Sequence, residues 1–220
     1  MGSTLFSVNF SQSIWRKTSK MNKKFLKEKI EEDFKGLDGR KLEAFFDKFI
    51  SDKRFSFIKY YNKTVLDKEK IDCREFISSR NWAIRGMPKE TVEYFNKNYD
   101  ILRKEILQEK DIVVFFEAYC CGKRKEGSFC SKLFHTFLPR EFPPVDSHIR
   151  EYFGLNDKNF INDVLLVKEG YQQFIKKNPA MIKKIRNILS KDKFSGLRVK
   201  ELSDIRILDM YYWFRKSRIK

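Results

Sequence analysis

The chain has 220 residues, 41% of them hydrophobic and 15% aromatic, with 22 Phe; this excludes a disordered chain and suffices for a two-lobed domain or two small ones. Only 9 Gly and 5 Pro are present, too few for the tight turns of an all-β protein. Lys and Arg total 47 against 30 Asp and Glu, a formal net charge of +17, a self-repulsion that a polyanionic partner would relieve.

Residues 1–20 lack the apolar run of a signal peptide and miss the myristoylation pattern at Phe6, so they read as a tail. Residues 22–35 carry Phe25, Leu26, Ile30 and Phe34 at helical spacing, and Gly36 and Gly39 break the pattern. A second helix is expected over 40–50, then a loop around 52–62 and a short helix over 74–84 ended by Gly86 and Pro88. Further helices are expected over 89–108, 110–121 and 128–138, the last opened by Ser128 as an N-cap and closed by Pro139. After the loop REFPPV, helices follow from Asp146, over 157–177, over 179–190 and over 199–216. The expected fold is therefore all-α.

The charge is uneven: +7 over residues 1–70, +2 over 71–150 and +8 over 151–220. If the basic ends fold together, residues 21–69 with 143–220 form one helical lobe and residues 70–142 a second, near-neutral one, with a groove between them. A nucleic acid is the leading partner. An anionic membrane ranks behind it, because no basic amphipathic helix has an aromatic anchor and no stretch reaches eighteen apolar residues. The blander reading is a lysine-rich proteome. Cys73, Cys120, Cys121 and Cys130 form neither a disulfide framework nor a C-x-x-C pair, which places the chain in the cytosol. His135 and His148 are too few for a histidine-rich metal centre.

The segment from Gly127 to Leu155, GSFCSKLFHTFLPREFPPVDSHIREYFGL, is the most informative. A stiff run, Phe142-Pro143-Pro144-Val145, delivers Asp146 to the start of the helix HIREYF. Asp is a favoured N-cap, so Asp146 has two readings, a helix cap or a reactive carboxylate.

PPVDSHIREYFGL resembles the segment carrying the catalytic aspartate of the helix-hairpin-helix–GPD superfamily of DNA glycosylases, where V-D-x-H-[IV] opens a helix. REFPPVDSHI is also similar to the F-P-[IL]-x-D-x-x-[VI] form found in adenine DNA glycosylases. The resemblance covers about 30 residues. It implies a glycosylase-like two-lobed helical fold, excision of a flipped base from duplex DNA, and Asp146 as the catalytic carboxylate. The position at which bifunctional members carry a Schiff-base lysine falls, eighteen residues upstream, on Ser128. That implies a monofunctional enzyme, with Lys125 and Lys132 nearby as the alternatives. The family's hairpin L-P-G-[VI]-G is replaced by CCGKRKEGS, in which Lys123, Arg124 and Lys125 would meet phosphates, as would Lys132 and Arg150. The family's four-cysteine cluster motif is absent, so no cofactor is implied. Trp82, Phe115, Phe116 and Tyr119 are candidates for the base pocket, although aromatics at helical spacing are more often core. The enzyme is expected to act as a cytoplasmic, nucleoid-associated monomer, with repair and phage defence both open as its setting. The rival expectation is a helical nucleic-acid-binding protein without catalysis, in which Asp146 only caps a helix.

Overall fold

The computed structural model of the chain describes residues 23–50, 60–78, 87–120, 124–156 and 158–216, so the tail, residues 52–59 of the expected loop, Trp82 and Lys123 lie outside the described residues. Every regular element among the described residues is helical. A helix over residues 23–34 (α1) is followed by α2 (Gly39–Ile50), a π-helical turn (Asn62–Leu66), α3 (Cys73–Ser78), α4 (Lys89–Lys97) and α5 (Tyr99–Glu109). Then come α6 (Ile112–Tyr119), α7 (Arg124–Phe137), α8 (Ser147–Tyr152), α9 (Phe160–Lys177), α10 (Pro179–Leu189), a 3-10 turn (Asp192–Leu197) and α11 (Asp204–Lys216).

Short polar side chains set most of the starts. Asp111 accepts from the N–H groups of Val113 and Val114, Asn159 from Ile161, and Asp72 from Arg74 and Glu75, each satisfying donors that a first helical turn leaves unpaired. Pro179 stands at the first position of α10, where its missing N–H is not needed. The single helix expected over 89–108 is two. Asn98 turns out of the helical region, and its side-chain amide donates to Tyr94 O at 2.9 Å, competing with the backbone ladder. The helix expected to open at Ser128 begins one turn earlier, at Arg124. Gly127 sits inside it because Phe160 leaves no room for a side chain: a Cβ there would lie 2.6 Å from the Phe160 Cβ and Cγ. The helix expected from 199 starts at Asp204, after a 3-10 turn that the apolar spacing did not disclose.

The buried side chains form one contiguous core. Its centre is α9, which packs on α6, α7, α10 and α11, while α7 also receives α5, α6 and the π-helical turn. Around α7, Phe129 meets Phe76 and Phe95 edge-on, and Phe134 meets Phe115 and Phe142. Around α11, Tyr212 lies against Tyr171, Phe153 and Tyr152. Burial of such rings is the main favourable contribution to folding, at about 25 cal/mol per Å² of apolar surface. No helix among the described residues is long and apolar enough to cross a membrane.

Candidate active site

Asp146 is delivered to the head of α8 by a loop that is itself tied down. Phe142, Pro143, Pro144 and Val145 are buried. The Val145 carbonyl accepts from Ser131 Oγ at 2.8 Å and from Ser128 Oγ at 3.4 Å, so α7 grips the chain one residue before the carboxylate. Asp146 Oδ1 accepts from the N–H groups of His148 and Ile149 at 2.9 and 3.1 Å, the cap expected of an aspartate there. Its second oxygen, Oδ2, lies 3.9 Å from Lys132 Nζ, and the two side chains are only 15% and 7% exposed. One oxygen is thus held by backbone dipoles and the other faces an ammonium from α7.

Below this pair lies a buried polar layer. Arg206 Nη1 donates to Asp209 Oδ2 at 2.5 Å, an i,i+3 pair on α11. The Arg206 guanidinium covers the Tyr61 ring at 4.6 Å, and the Tyr61 hydroxyl meets His135 Nε2 at 3.1 Å. His135 Nδ1 lies 2.6 Å from Phe142 O. A carbonyl only accepts, so the proton is on Nδ1, and Nε2 accepts from the tyrosine. That neutral tautomer satisfies both partners, and burial pushes the histidine down to about 3. Burial likewise pushes the Asp209 carboxyl up to about 7, with the Arg206 charge pulling against it and the Asp146 charge adding to it. Desolvation lowers Lys132, opposed by the charges of Asp146 and Asp209. The Tyr171 hydroxyl is buried with no hydrogen-bond partner among the described residues and feels both aspartates.

The residues singled out from the sequence separate here. Asp146, Ser128 and Lys132 come together. Ser128, however, is a mid-helix residue whose hydroxyl is turned to Val145 O, not an N-cap. Lys132 is buried against Asp146 and does not present its amine to a phosphate. Arg150, expected on the nucleic acid, is inside the protein: its Nε donates to Asp163 Oδ2 at 2.5 Å and its guanidinium lies over the Phe160 ring at 4.6 Å. Arg-carboxylate geometry makes such a pair tolerable in the core. Phe115 and Phe116 are core residues; Phe115 packs on Phe95 and Phe134. Tyr119 is half-buried, and its hydroxyl donates to Glu105 Oε2 at 2.5 Å. The basic loop expected between Gly122 and Gly127 is in part the first turn of α7, with the buried Glu126 at that positive helix end. The side chains of Arg124 and Lys125 lie outside the described residues. Sequence reasoning missed His135, Tyr61 and Ser131 as parts of this layer, since buried polar residues carry no local signal. The Arg206–Asp209 spacing on an amphipathic helix was the one visible sign.

No group of three or more His, Cys, Asp or Glu among the described residues is arranged to hold a metal ion. Comparison with protein-family models, with curated proteins and with solved structures finds no match.

Proposed function

We propose that this protein is a monofunctional DNA glycosylase that hydrolyses the N-glycosidic bond of a damaged, mismatched or modified base after flipping it from duplex DNA. The reading takes the fold as two-lobed, with residues 21–69 and 143–220 facing residues 70–142 across the groove that receives the duplex. The enzyme acts as a cytoplasmic monomer. The observation that carries it is the setting of Asp146: a carboxylate on a helix start, one oxygen anchored by two N–H groups, the other beside the Lys132 ammonium. In the reaction the C1′–N bond breaks and the base leaves with the bonding pair. Positive charge develops on the deoxyribose, and the carboxylate stabilises it while orienting a water whose oxygen bonds to C1′ as it loses a proton and the departing base takes one up. Lys132 is a positioning residue: its ammonium fixes the carboxylate rotamer, and its burial keeps it from the sugar. The resemblance of PPVDSHIREYFGL and the charge of +17 support the same partner.

The two N–H bonds to Oδ1 also favour a second reading, a nucleic-acid-binding protein in which Asp146 only caps α8. A panel of duplexes, each with one lesion, assayed for abasic-site formation separates the two. Release of a base from at least one duplex supports the glycosylase; duplex binding with no release from any leaves the binding protein.

A further inference from the structure

Away from Asp146, an open groove of about 920 Å³ runs between the start of α2 and the outer face of α10. Arg40 forms one wall, and Lys183, Lys184 and Lys191 project from the other. Two carboxylates line it, and both are engaged. Asp38 accepts from the Lys41 N–H at 2.8 Å, and Glu43 is held by Lys191 at 2.5 Å and Lys193 at 3.0 Å. Arg40, Lys183 and Lys184 are exposed and have no carboxylate within ion-pairing distance among the described residues. The Asp38 carboxylate, which feels the Lys184 charge, offsets part of this, and the positive excess that remains on one face raises the local potential and favours an anion there.

We infer that this groove is a second contact for the sugar–phosphate backbone of DNA, one that binds without reading bases. Among the described residues no aromatic side chain lines it, so these give it no platform for stacking a base and offer only charge. The three cations, Lys183 and Lys184 on α10 and Arg40 on α2, match two to three phosphates. An anionic lipid surface fits less well. The apolar lining residues are Ala180 and the buried Ile188, with no exposed aromatic or long aliphatic side chain to enter a bilayer. The inference rests on DNA being the partner, and not on excision of a base.

The test compares two triple variants of equal net charge in duplex binding across a salt series. One carries Arg40→Ala, Lys183→Ala and Lys184→Ala. The other carries Lys97→Ala, Lys104→Ala and Lys200→Ala, three exposed lysines away from the groove. The groove variant is expected to lose about 2 to 3 from the slope of log K against log salt, at roughly 0.9 per phosphate contact, and to bind at least about tenfold more weakly at low salt. The control keeps the wild-type slope. Equal behaviour of the two triples overturns the inference, and so does a wild type that binds phosphatidylserine vesicles but no duplex. Because the readout is binding, a wild type that excises no base sinks the glycosylase reading while this comparison still decides the groove.

Discussion

Lys132 Nζ stands 3.9 Å from Asp146 Oδ2, joining the middle of α7 to the head of α8 through two charges that are almost out of solvent. The aspartate therefore has two duties in the fold, capping a helix and neutralising a buried amine, and each leaves its own mark when the residue is changed.

Asp146→Asn keeps the cap, since Asn caps about as well as Asp, but strands the Lys132 ammonium. Stability is expected to fall by about 1–3 kcal/mol, more than a cap exchange costs and less than the loss of a partner from a fully buried pair. Base excision is expected to fall by about 10²–10³ while duplex binding persists. Full excision activity in this variant would remove Asp146 from the reaction.

Lys132→Met replaces the amine by an apolar side chain of similar length. Alone it is expected to cost little, and with Asp146→Asn it should restore most of the stability which that change loses. Urea titrations of the four proteins in the double-mutant cycle should give a coupling of about 0.5–3 kcal/mol. Strict additivity would show that the pair is not an energetic unit.

Borohydride added during turnover is expected to trap no covalent adduct with DNA, because the Lys132 side chain is only 7% exposed and no Schiff base forms from a buried, ion-paired amine. Abasic products should then need heat or alkali for strand cleavage. A trapped adduct that survives in Lys132→Met and disappears in Lys125→Met would move the chemistry to the start of α7.

Two buried groups oppose each other in acid. His135 titrates near 3 in the folded chain and near 6.5 when unfolded, so between those values the unfolded chain holds the extra proton and stability rises with pH. Asp209 titrates near 7 when folded and near 3.8 when unfolded, so there the folded chain holds the extra proton and stability falls as pH rises. The two largely cancel between about pH 4 and 6.5. Asp209→Asn is expected to lower absolute stability, since Arg206 loses its carboxylate. It should also make stability climb with pH across that window by up to ~1.4 kcal/mol per unit. Urea midpoints at four pH values read the slope directly, and a slope equal to the wild type's would contradict the assignment.

Gly127→Ala tests the contact between α7 and α9. The new methyl would lie 2.6 Å from Phe160 Cβ and Cγ, atoms close to the backbone that have little freedom to move. Despite the better helix propensity of Ala, a net loss of about 1–2 kcal/mol is expected in a thermal or urea melt.

The sequence was legible where spacing carries the signal. The stripes of α1, α2, α9 and α10 and the Asp146 cap follow from local periodicity and side-chain type, and the structure has them within a few residues. It misled where tertiary contacts outweigh local preference. Gly127 closes the expected basic loop in the sequence but is a packing glycine against Phe160 within a helix, and Asn98 ends a helix that the apolar pattern continues. Charged side chains are usually on the surface, so Arg150 and Lys132 read as phosphate contacts. Their partners, Asp163 and Asp146, lie thirteen and fourteen residues away, beyond the reach of any helical pattern.

The Arg150–Asp163 pair has a consequence beyond its own contact. A helix of six residues cannot persist by itself in water, so α8 exists only while α9 and α11 hold it. Asp146 therefore rides on a borrowed platform: its position is a property of its neighbours rather than of its own segment. On the glycosylase proposal, a substitution at Asp163, which breaks the pair with Arg150, would let α8 fray and abolish base excision with the Asp146 carboxylate still in the chain.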